Sequence, residues 1–118
     1  MARVQTIFER LELDAMLDLA SHPSFGRAGK LLTNSQCAQS LKFEILVSIT
    51  SHDRTAVASF NYLQEHFGSA FGIPLHDGSV AHTACLGFGL ERITLTLFSR
   101  HSLDTHTWPA AVLARLGF

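Results

Sequence analysis

Apolar residues along this chain change period twice, and the changes divide it into elements. Val4, Ile7, Phe8 and Leu11 fall at helical spacing, and Leu13, Met16 and Leu17 continue the pattern. One or two helices with a core-facing stripe are therefore expected before Ser21. Ser21-His22-Pro23-Ser24-Phe25-Gly26 is a turn cluster, with Gly29 just beyond it. From Leu41 the period becomes two: Leu41, Phe43, Ile45, Val47 and Ile49 alternate with Lys42, Glu44, Leu46 and Ser48. That alternation predicts a strand with one buried face. Ser51 to Arg54 turns the chain, and Thr55 to Phe60 reads as a second strand, antiparallel because the connection is too short for a crossover.

Asn61 to His66 is polar enough for a loop or short helix, ended by Gly68. Phe71 to Ile73 suggests a short strand closed by the turn Pro74-Leu75-His76-Asp77-Gly78. Ser79 to Leu86 is the next predicted strand, with Gly87 and Gly89 at its exit. Leu90, Ile93, Leu97 and Phe98 then form a helical face, and Pro109 opens a last helix bearing Val112, Leu113 and Leu116. Hairpin-linked strands with helices segregated from them indicate an α+β fold in one domain over residues 1–118.

Composition adds constraints. With 47% hydrophobic and 16% charged residues over 118 positions, the chain has the apolar content to collapse. Nine Phe beside one Trp and one Tyr favour an apolar core over an aromatic binding face. The net charge of -1 and nine scattered Lys and Arg give no basic stripe, so charge offers no sign of tRNA or other nucleic acid. Cys37 and Cys85 are far apart and form no C-x-x-C pair, which fits a reducing compartment. Without an apolar signal core or a run of about 20 apolar residues, a cytoplasmic protein with no membrane span is expected.

The candidate chemistry lies in Cys85-Leu86-Gly87-Phe88-Gly89-Leu90-Glu91-Arg92-Ile93. Two glycines at alternate positions let another group approach the backbone where no Cβ intervenes. The helix that follows offers unpaired N–H groups and the positive end of its dipole. Arg92, in its first turn, can stack on an aromatic ring or pair with phosphate oxygens. On spacing alone this is equally a glycine-eased corner with Arg92 solvated and paired to a surface carboxylate. A dinucleotide fingerprint fits poorly, because Arg92 stands where its third glycine belongs and no later strand completes a βαβ unit.

Gly87 to Ile93, preceded by His82-Thr83 and followed by Thr94-Leu95-Thr96-Leu97-Phe98, resembles motif 3 of the class II aminoacyl-tRNA synthetases. Phe25 to Leu32, Gln39 to Val47, Thr55 to Tyr62, His66-Phe67-Gly68, Ala81 to Cys85 and Trp108-Pro109 extend the likeness. In that order they resemble the amino acid:carrier protein ligases, homologues of the catalytic domain of atypical seryl-tRNA synthetases. The resemblance implies a partial class II antiparallel sheet flanked by helices. It implies ATP and magnesium as cofactors, a small amino acid as substrate, and a carrier-protein phosphopantetheine thiol as acceptor.

By the same likeness Gly87, Gly89 and Arg92 are the ATP-binding residues, with Arg92 the catalytic one, lying against the adenine and near the phosphates. The family also binds zinc through two Cys and one Glu, and Cys85 matches one ligand; Cys37 matches none. His82 and Cys85 are three apart on a strand, point to opposite faces, and cannot chelate together. Motifs 1 and 2, the first of which builds the family's homodimer, have no counterpart here and are expected upstream of Met1. The chain departs from the pattern at His22, Ser24, Cys37-Ala38 and Leu63. The resulting expectation is a piece of an activating ligase, inactive alone. Its alternative is a non-catalytic nucleotide-binding or oligomerising module. Arg27, Lys30 and Lys42 are either a docking patch for an acidic carrier protein or merely solvated cations.

Overall fold

The computed structural model describes residues 1–20, 41–50 and 54–118. Among them the elements are α1 (Ala2–Arg10), β1 (Ala15–Leu19), β2 (Lys42–Ser48), β3 (Arg54–Gln64), α2 (His66–Ala70), β4 (Thr83–Phe88), α3 (Leu90–His101), a 3₁₀ turn (Thr105–Thr107) and α4 (Ala110–Leu116). The four strands form an antiparallel sheet in chain order, β1-β2-β3-β4, which is the α+β architecture expected. No helix among the described residues is long and apolar enough to cross a membrane.

The sharpest difference from the sequence reading lies at residues 11–19. Leu13, Met16 and Leu17 have helical spacing, yet α1 stops at Arg10 and Glu12 takes a φ of 59°. The Leu13 amide reaches back to the Phe8 carbonyl at 3.0 Å, and the chain leaves as β1. Burial there alternates. Leu13 and Ala15 are buried, while Met16 is 40% exposed. The predicted stripe holds at Phe8 in α1 and at its C-cap Leu11, whereas Ile7 is exposed.

β2 matches its pattern, with Ile45 and Val47 buried, but Lys42 and Glu44 are buried as well. Coverage on both faces replaces the one-sided strand, and Lys42 is no solvated cation for a docking patch. Arg27, Lys30 and Cys37 lie outside the described residues. β3 runs on to Gln64, so Asn61 to Gln64 are strand and not loop. Phe71 to Ile73 is not a strand. Phe71 caps α2 through its amide to the Phe67 carbonyl, and Gly72 turns the chain at a φ of +61°. β4 starts at Thr83, later than predicted, because the Ala81 amide is taken by the Ile73 carbonyl at 2.9 Å.

The chain falls into two compact units. The first comprises Met1–Asp18, Glu44–Ala58 and Phe88–Phe118; its buried side chains include Phe8, Ile45, Val47, Val57, Leu97, Trp108 and Val112. Trp108 donates from Nε1 to the Ser102 carbonyl at 3.0 Å and meets Phe98 edge-on at 5.6 Å. Of the predicted apolar face of α3, Leu97 is buried, but Leu90 is 70% exposed. Pro109 is the N-cap of α4. The second unit comprises the described residues of Leu19–Phe43 and Ser59–Gly87. Gly68 sits buried in α2 directly against the Ala81 carbonyl.

Candidate functional site

In the first unit, α3 begins at a corner pinned to β3. The Gly89 amide donates to the Val57 carbonyl at 2.9 Å, and the Ile93 amide closes the first turn on Gly89 at 2.9 Å. The Arg92 Nη1 donates to the Ala56 carbonyl at 3.0 Å. The guanidinium is exposed and tethered through one of its nitrogens, leaving most of its donors outward. Its partner among the described residues is thus a backbone carbonyl, not the surface carboxylate that the spacing left open. The Arg92 stem lies alongside Gly89: a Cβ placed on that glycine would sit 3.5 Å from Arg92 Cδ. That is ordinary contact, and the Gly89 φ of -88° suits any residue. The fold itself therefore does not demand glycine at 89. A group approaching the backbone from outside the chain would.

The second unit holds the other half of the glycine pair. A Cβ on Gly87 would lie 3.6 Å from Ser59 Oγ, again ordinary contact. The register that sets Ser59 opposite Gly87 sets Asn61 opposite Cys85, and the Asn61 amide Nδ2 lies 3.4 Å from Cys85 Sγ and 3.5 Å from Ser59 Oγ. Side chains alternate along a strand, so these residues share one face of the β3–β4 pair. The Thr83 hydroxyl reaches the Gln64 carbonyl at 3.4 Å, which confirms the pairing direction. Asn61 was invisible as a site residue from sequence because its polarity signals a loop; the signal that finds it is its place two residues from Ser59 once β3 is extended.

His82 goes elsewhere. Its Nδ1 is hydrogen-bonded to the Tyr62 hydroxyl, and its Nε2 lies 3.6 Å from a Glu65 carboxylate oxygen. Tyr62 alternates with Asn61 along β3, so this trio is separate from Cys85, in line with the expectation that His82 and Cys85 do not chelate together. Among the described residues no three His, Cys, Asp or Glu side chains come together as a metal group. Cys85, exposed and not in a disulfide, has an amide neighbour and no second ligand. Zinc takes three or four protein ligands, so the described residues do not fit it. Magnesium is a different case, since it is commonly held by substrate phosphates with few protein groups.

No protein-family model matches the chain. It is 44% identical to amino acid–acyl-carrier-protein ligase 1 of Bradyrhizobium diazoefficiens over 118 residues, 99% of this chain and 36% of that protein. It is 45% identical to ligase 2 of the same organism over 98% of this chain and 35% of that protein. The type-2 serine–tRNA ligase of Methanopyrus kandleri is 27% identical over 93% of this chain and 22% of that protein. The chain therefore spans about a third, or less, of the length of these relatives. Among solved structures, a crystal structure of A. aeolicus tRNASec with M. kandleri SerRS superposes with a TM-score of 0.73, at 22% identity, over 98% of this chain and 23% of that one.

Proposed function

Because the chain is related along its length to the amino acid–acyl-carrier-protein ligases and has the class II synthetase fold, we propose that it supplies the ATP-holding, motif 3 portion of an amino-acid-activating ligase. The observation that carries this reading is Arg92: an outward guanidinium anchored on Ala56 at the opening of α3, beside a glycine the fold does not require. A planar cation so held can lie on an adenine ring and offer its remaining donors to phosphate oxygens.

In the reaction so assigned, a small amino acid's carboxylate oxygen attacks the ATP α-phosphorus. The α–β bridging P–O bond breaks, and pyrophosphate leaves. A carrier-protein phosphopantetheine thiol then attacks the aminoacyl carbonyl, and AMP departs as the thioester forms. Positioning and charge stabilisation dominate the first step, and no protein nucleophile is needed. Magnesium, arriving with the ATP, would neutralise phosphate charge. Arg92 contributes binding and orientation of the nucleotide; this chain by itself is expected to bind ATP without turning it over.

Equilibrium titration with a fluorescent ATP analogue tests the reading. Hydrogen bonds to a charged group contribute about 1.5–3 kcal/mol, so Arg92→Ala should weaken binding about tenfold or more. Unchanged affinity would remove Arg92 from the site. A second reading, an oligomerising module, draws on β4. Among the described residues it is last in the sheet order and exposed from Ala84 through Phe88, an edge that could pair with another chain. Light scattering distinguishes the two: a dimer dispersed by a proline within β4, with ATP binding absent throughout, would favour the module.

A further inference from the structure

We draw no further inference here: the strongest candidate, the apolar cavity of about 610 Å³ between α3 and α4 lined by Leu97, Phe98, Trp108, Leu113 and Phe118, is an unpartnered apolar surface, and nothing in the structure shows what covers it.

Discussion

Three glycines in this chain look alike in sequence and are held for opposite reasons, which makes Gly68→Ala a discriminating perturbation. A Cβ built on Gly68 would sit 2.0 Å from the Ala81 carbonyl oxygen and 2.9 Å from Val80 Cγ1. Ordinary contact begins at 3.4 Å, so α2 or the backbone at Ala81 must retreat by more than an ångström. That backbone is held by the Ala81 amide on Ile73 and the Ile73 amide on Gly68, at 2.9 and 2.8 Å. Overpacking of this kind costs about 1–3 kcal/mol, and loosening two hydrogen bonds adds about 1 kcal/mol each. Against that, Ala is favoured over Gly in a helix by about 1 kcal/mol. The net destabilisation is about 2–4 kcal/mol, and with a urea m-value of about 1–1.5 kcal/mol/M the midpoint should fall by about 2–3 M. Gly87→Ala and Gly89→Ala meet nothing nearer than 3.5 Å and should unfold within about 0.5 kcal/mol of the parent, while weakening ATP binding. Urea titration followed by far-UV circular dichroism reads all three. If Gly68→Ala were as stable as the parent, or Gly87→Ala and Gly89→Ala as unstable as Gly68→Ala, contact with the Ala81 backbone would not be what requires glycine at 68.

Further outcomes follow from the same contacts. Trp108→Ala should cost about 3–5 kcal/mol of unfolding free energy in urea titration, because a buried indole is lost with its edge contact to Phe98; Trp108→Phe should cost less. Asp14→Asn removes the 3.1 Å pair with Arg54, and with both side chains substantially exposed the loss should stay below about 0.5 kcal/mol. The Asp77 carboxylate is held below its ordinary 3.8 by the Ser79 hydroxyl and then the Ser79 amide. Its contribution to the turn is accordingly present above the ordinary value and lost as pH falls through the lowered one. Carboxyl-carbon NMR titration should show that Ser79→Ala moves the Asp77 midpoint up toward 3.8.

Much of this architecture was legible where one local signal acted alone. The alternation at Leu41–Ile49 gives β2, and Pro74-Leu75-His76-Asp77-Gly78 gives a turn with Gly78 at a φ of +84°. The glycine corner sits at the β4–α3 junction as read. Errors arose where tertiary pairing overruled local preference. Leu13, Met16 and Leu17 satisfy a helical template, but the positive φ at Glu12 ends the helix and β1 alternates instead. Asn61 to Gln64 read as loop because polar residues are poor strand formers, yet pairing with β4 keeps them extended. Arg92 was legible as a candidate from the motif. Its anchoring on Ala56 was not, because 36 residues separate them. Asn61 beside Cys85 was hidden for the same reason, since register cannot be read from one strand's composition.

On the proposed reading, Arg92 and its glycine corner face ATP. A ¹⁵N-labelled chain titrated with ATP tests it residue by residue. The amides of Gly87, Gly89, Leu90, Glu91 and Arg92 should shift saturably, and Arg92→Ala should raise the ATP concentration needed for the same shifts about tenfold or more without altering the rest of the spectrum. Saturable shifts confined to other residues, or an unchanged response in Arg92→Ala, would contradict it.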